Sequence, residues 1–200
     1  MYIFNKECQD QSVTQGHKTP QSFELLSEQE FEAIGPYVSS LPEKVLDLGC
    51  GLGRMSIYLN WKFQSEKTKY YLADTTAFTN NGRKGWNPID TWYSDLELTK
   101  QFCELNGLKN FELVDILKGE LEKLENIDFV FSFMAVGYHN PVENYIDILK
   151  KITKKDALMI FGVRRYHYED GATDDFLKQF SFCAHHPTGH KKERLLVLRW

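Results

Sequence analysis

Residues 45–54 read Val-Leu-Asp-Leu-Gly-Cys-Gly-Leu-Gly-Arg. The first four are those of a short buried strand, apolar except for one acid. Three alternating glycines follow, and then residues 55–63, which have helical composition. A chain that passes from buried strand through a glycine turn into a helix is committed to an α/β layer, the first half of a nucleotide-binding unit. The glycines permit positive φ and leave bare backbone for a ligand to lie on. The helix start offers N–H groups that no helical carbonyl takes.

The spacing narrows the choice. Gly49, Gly51 and Gly53 give Gly-x-Gly-x-Gly with Asp47 two residues ahead, whereas a dinucleotide fingerprint is Gly-x-Gly-x-x-Gly. The pattern resembles motif I of the class I S-adenosylmethionine-dependent methyltransferases. That resemblance covers the chain from about residue 27 onward. It implies an α/β fold: a single Rossmann-like methyltransferase domain, with a seven-stranded, mostly parallel sheet, helices on both faces and an antiparallel C-terminal strand. It implies S-adenosyl-L-methionine as cofactor. Asp47 would take the ammonium of its methionine part, directly or through water, backbone N–H groups would take the carboxylate, and Gly49, Cys50, Gly51 and Gly53 would line the cofactor site. A glycine-rich turn of some other α/β protein is the alternative.

Two hundred residues suit one domain with a full core. A net charge of −4 argues against a general nucleic-acid binder. Residues 1–10 contain no apolar stretch of a leader, and no run approaches a membrane span of about 20 residues. Cys8, Cys50, Cys103 and Cys183 are scattered without a Cys-x-x-Cys pair. A reduced, cytoplasmic protein is expected. Oligomeric state is not legible.

Residues 1–26 read as an N-terminal arm or lid, and 27–200 as the methyltransferase domain. Ser27 and Glu30 suit a capping box at a helix start, and Ser94 with Glu97 suits a second. Residues 69–74 read as a strand ending in Asp74, about the right distance past the glycines for a carboxylate that accepts from both ribose hydroxyls. Thr75 adjoins it. A strand-end acid that only caps a turn is the bland reading. Residues 110–114 read as a strand. By the resemblance, Asp115 after it would accept from the adenine amino group while Ile116 packs the ring. Further strands are expected at 127–133, 157–163, 182–184 and 194–200, and helices at 142–151 and 174–180.

The segment 75–93 is long, polar and aromatic, with Trp86 and Trp92 among Asn, Asp and Arg. Tryptophan faces with polar neighbours suit a sugar, and a surface insertion is the alternative. Residues 132–141, Ser-Phe-Met-Ala-Val-Gly-Tyr-His-Asn-Pro, resemble the stretch after the fourth strand in a subgroup described as sugar O-methyltransferases. His139 is the candidate general base for a hydroxyl, since an imidazole titrates near neutrality. Tyr138 would contact acceptor or cofactor. Arg164, Arg165 and His167 follow the fifth strand, and an arginine pair suits an anionic acceptor, such as an acidic or nucleotide-linked sugar. Solvated salt bridges to Glu169 and Asp170 are the alternative. No metal is assigned. Methyl transfer to a hydroxyl of a small molecule, a sugar or glycan precursor, is the expectation. Transfer to nitrogen of a small molecule or protein, and a non-catalytic cofactor-binding role, stand as alternatives.

Overall fold

A computed structural model describes residues 1–14, 19–78, 93–164, 177–187 and 193–200. Seven strands form one sheet: β1 (Lys44–Leu48), β2 (Lys69–Asp74), β3 (Phe111–Asp115), β4 (Ile127–Ser132), β5 (Thr153–Arg164), β6 (Phe182–Pro187) and β7 (Glu193–Arg199). Their spatial order is β3-β2-β1-β4-β5-β7-β6. The first five are parallel to one another, and β7 runs against both its neighbours. The order reverses at β1, between β2 and β4. In sheets of this kind that reversal opens a crevice at the carboxyl ends of the strands.

Strand parity sorts the side chains. Alternate residues of a strand face opposite sides of the sheet, and both sides here are covered. Val45, Tyr70, Leu72, Phe129, Phe131, Ile160 and Val197 belong to one core cluster. Leu46, Leu48, Tyr71, Ala73, Val130, Met159 and Leu196 belong to the other. The first is covered by four helices, α1 (Lys6–Thr14), α2 (Pro20–Ile34), α3 (Arg54–Phe63) and α4 (Leu96–Leu105), through Cys8, Phe23, Ile57 and Phe102. The second is covered by α5 (Ile146–Ile152) through Ile146, Leu149 and Ile152. Asp47 shares parity with Val45, so its carboxylate falls on the side of α3.

Two helix starts differ from the sequence reading. Helix α2 begins seven residues before Ser27, with Pro20 in its first turn. Thr19 caps it, exchanging hydrogen bonds with Ser22 in a reciprocal box. Ser27 and Glu30 lie inside the helix and are buried. Helix α4 is capped by Asp95, whose carboxylate accepts from the N–H groups of Glu97 and Leu98. Ser94 instead pairs in a short antiparallel ribbon, Ala77–Phe78 with Tyr93–Ser94. Gly107, at φ +79°, turns the chain just past the Asn106 cap of α4, with the Leu108 N–H returning to Cys103 O at 3.0 Å.

The start of the chain is packed. Tyr2 is buried among the rings of Phe23, Trp61 and Phe102, with centroids 5.0, 4.7 and 5.9 Å away. No helix among the described residues is long and apolar enough to cross a membrane.

Candidate active site

The glycine turn is held from within. The N–H groups of Gly49 and Cys50 both donate to Ala73 O, at 2.7 and 3.1 Å, and that of Gly53 donates to Cys50 O at 2.8 Å. Gly51 N–H donates to Asp74 Oδ2 at 2.8 Å. The N–H groups of Gly49, Cys50 and Gly51 therefore bond to β2, and that of Gly53 closes the turn on itself. The physical reason is that so tight a turn must satisfy its own buried backbone groups first. Leu52 N–H, in the same turn, donates to no described residue. Gly49, Gly51 and Gly53 have φ of +75°, +55° and +74°, a region costly to any residue with a Cβ.

The carboxylates stand around this turn, all three buried. Asp47 Oδ2 accepts from Ser56 Oγ at 2.8 Å, under the first turn of α3. Burial pushes its pKa up to about 7, against the opposing pull of Ser56 and Arg54. Asp74 accepts from Gly51 N–H and, through Oδ1, from Thr75 N–H at 2.8 Å. Burial, with Asp115 adding repulsion, pushes its pKa up to about 6. Asp115 accepts from Thr75 Oγ1 at 3.1 Å, from Leu117 N–H at 3.1 Å and from Lys118 Nζ at 3.0 Å. Burial would raise its pKa, but these donors outweigh it and hold the carboxyl below the usual range. Ile116 is half-buried beside Asp115 and packs on the second core cluster. Cys50 is buried and its thiol is pushed well up, first by burial.

The turn touches the loop after β4. A Cβ built on Gly49 would stand 2.3 Å from the Ala135 Cβ, so glycine there permits the two segments to meet. That loop leaves β4 through Met134, a non-glycine at φ +60°. Val136 N–H is held by Ser132 Oγ at 2.9 Å, and the N–H groups of Tyr138 and His139 both return to Ala135 O, at 3.1 and 2.7 Å. Gly137 (φ +91°) lies flat on β5, where a Cβ would come within 2.8 Å of Val163 Cγ1. The Tyr138 and His139 rings meet edge to face at 5.2 Å, with His139 buried. Arg164, at the end of β5, donates its N–H to Gly137 O at 3.0 Å and its Nε–H to Tyr138 O at 2.6 Å.

Contacts thus run along the carboxyl edge from Asp115 through Thr75, Asp74 and Gly51, across Gly49 and Ala135, to His139, Tyr138 and Arg164. Trp86, Trp92, Arg165 and His167 lie outside the described residues. Among the described residues no three His, Cys, Asp or Glu side chains gather to hold a metal ion.

Several residues in this frame escaped the sequence reading. Thr99 Oγ1 approaches Gly51 O at 2.5 Å and ties α4 to the turn. Arg54, at the start of α3, is buried and pairs with Glu30 at 2.6 Å, while its Nη1 donates to Ser27 Oγ at 2.9 Å. Tyr2 Oη donates to Arg54 O at 2.8 Å and lies 2.8 Å from Ser27 Oγ. Burial works against the Arg54 charge, but Glu30 and Tyr2 outweigh it, and its pKa is raised. An arginine directly after the last glycine, at the start of a helix that packs on the sheet, was the available signal.

The fold is that of the class I S-adenosylmethionine-dependent methyltransferases. Among known structures, a SAM-dependent methyltransferase from Aquifex aeolicus matches 90% of this chain and 97% of its own at 18% identity, with a TM-score of 0.59. TYW2 of M. jannaschii, solved in complex with AdoMet, matches 87% of this chain and 74% of its own at 14% identity, with a TM-score of 0.58. At such identities the likeness establishes the fold alone. By sequence, the (S)-coclaurine N-methyltransferase of Thalictrum flavum subsp. glaucum is 26% identical over 149 residues, 70% of this chain. The chain spans about a third of that relative, 35% of its length. No family model matches the sequence.

Proposed function

We propose that this protein transfers a methyl group from S-adenosyl-L-methionine to a hydroxyl of a small molecule, with a sugar or glycan precursor as the acceptor class. One observation carries the reading: the contact of Gly49 with Ala135. A ligand lying on the glycine turn lies next to the loop that bears His139.

The residues around the turn fit the cofactor. Asp74 lies at the end of β2 and would take the ribose hydroxyls. Asp115 and Ile116 would take the adenine. Asp47, with Leu52 N–H and the first-turn N–H groups of α3, would meet the charged methionine end. S-adenosylmethionine supplies a methyl on a positive sulfonium, which is a good leaving group. His139 would take the acceptor's hydroxyl proton, and the loop 135–141, locked onto Ala135 O and β5, would fix its position. Residues 1–26 would act as an N-terminal arm or lid. A cytoplasmic location completes the proposal, supported by four free thiols.

A second reading, transfer to nitrogen, is favoured by the 26% identity to an N-methyltransferase. Labelled methyl transfer into sugar and amine pools separates the two by product. His139→Ala tests the first reading. Turnover should fall about 100-fold or more, with S-adenosylhomocysteine affinity unchanged by calorimetry. Full turnover in that variant would remove His139 from the reaction.

A further inference from the structure

Arg164 is fixed in an unusual way for a cation at a site edge. Its backbone N–H and its Nε–H both donate into the loop after β4, to Gly137 O and Tyr138 O. Its guanidinium carbon lies 4.4 Å from the centroid of the Tyr138 ring. The side chain is half-buried. Stacking on an aromatic face and a hydrogen bond through Nε set both the position and the plane of the group.

This anchoring uses one of the five guanidinium donors. The four N–H groups on Nη1 and Nη2 donate to no described residue. A salt bridge that merely tied β5 to the loop would spend those donors on a carboxylate, and none among the described residues takes them. What the described residues leave open is a planar fork, held in advance. Its shape matches two oxygens of a carboxylate or phosphate. It is held by Tyr138, the neighbour of His139, on the same edge of the sheet.

The geometry points to Arg164 as the residue that selects an acceptor bearing an anionic group, a carboxylate or a phosphate, by bidentate hydrogen bonding through Nη1 and Nη2. This rests on the reading of the site as a sugar-directed methyltransferase, and it deepens it by naming the charge of the acceptor. Lysine would replace the arginine only in part, because a point charge does not offer two parallel donors.

The test is direct binding, so it does not depend on turnover. Glucose, glucuronate and glucose 6-phosphate are titrated into the protein saturated with S-adenosylhomocysteine, at low ionic strength. The wild-type protein should bind one of the charged sugars at least ten-fold more tightly than glucose. A preference for glucuronate identifies a carboxylate acceptor, and one for the 6-phosphate a phosphorylated acceptor. Arg164→Gln should abolish the preference and leave S-adenosylhomocysteine affinity intact. Arg164→Lys, which keeps the charge, should retain a preference reduced several-fold, and it serves if the glutamine variant does not fold. Equal affinity for charged and neutral sugars in the wild-type protein would overturn the assignment, as would a preference unchanged in both variants. Failure of the methyltransferase reading looks different: S-adenosylhomocysteine would not bind, or labelled methyl would not transfer, whatever the anion does.

Discussion

The two ends of the carboxyl edge are built by different means. At the cofactor end, positions follow from local rules. Strand parity puts Asp47 against α3, left-handed glycines shape the turn, and the last residue of β2 is the acid that receives Gly51 N–H. At the acceptor end, positions come from bonds between segments far apart in sequence. Arg164 is fixed by Gly137 and Tyr138, 26 or more residues away, and the loop is fixed by a glycine lying on Val163. A local pattern can be read from one stretch of sequence. A set of cross-chain bonds cannot, which is why the glycine turn was legible before the loop was, while the ligand residues proposed at both ends await test.

The sharpest way to break the contrast is behind the cofactor end. Glu30 and Arg54 are a buried ion pair, and Arg54 opens the helix on which the turn rests. Glu30→Ala leaves the guanidinium buried and uncompensated, which costs about 3–5 kcal/mol. Chemical denaturation should show that loss. S-adenosylhomocysteine binding should weaken with it, because the start of α3 is no longer held. A loss under 1 kcal/mol would mean that Arg54 finds water or another acceptor, and that the brace is not a brace.

Next in size is Gly49→Ala, which strikes the seam between the two ends. A left-handed conformation costs an alanine about 1–2 kcal/mol. The added methyl also meets Ala135 at 2.3 Å, and overpacking of this kind costs about 1–3 kcal/mol. The loop after β4 must move away, so turnover should fall further than cofactor affinity does. If calorimetry and turnover fall by the same factor, the seam does not couple the two ends.

The same contrast accounts for what the sequence made legible. Largely apolar runs located the five parallel strands, because a parallel sheet buried on both faces leaves little room for polar residues, and the sequence Pro187-Thr188-Gly189 located the terminal pair. The helix starts at α2 and α4 were misplaced. Ser-x-x-Glu also arises inside a helix when Ser27 and Glu30 turn together toward a buried Arg54, and the pattern alone does not tell the two apart. Which N–H groups of the turn bond within the protein, as those of Gly49 and Gly51 do to Ala73 O and Asp74 Oδ2, is a matter of backbone geometry that glycine spacing leaves undetermined. Arg54 itself was passed over, because a charged residue at a helix start reads as solvated until its partner is known.

The smallest expected effect sharpens the account of the cofactor end, and it concerns Asp47. Burial raises its carboxyl to about 7 in the folded protein, against about 3.9 in an unfolded chain. Between those values the folded state binds the extra proton, so stability falls as pH rises. The contribution is fully present below the unfolded value and is gone once pH passes the folded one. From pH 6 to pH 8 the native group goes from mostly protonated to mostly charged, and the unfolded group is charged throughout. The loss over that window is about 1.4 kcal/mol, since each pH unit of bound-proton difference carries that much and the difference averages about one half over two units. Asp74, raised to about 6, adds a smaller loss of the same sign. Asp47→Asn is neutral at every pH, so its denaturation free energy should fall less over the window, by about 1.4 kcal/mol. Binding runs the other way. A ligand ammonium beside Asp47 favours the carboxylate, so S-adenosylhomocysteine affinity in the wild-type protein should rise from pH 6 to pH 8. Asp47→Asn should flatten that rise. If the variant flattens the stability profile but leaves the affinity profile unchanged, Asp47 is a buried partner of Ser56, and the ammonium is held elsewhere on the turn.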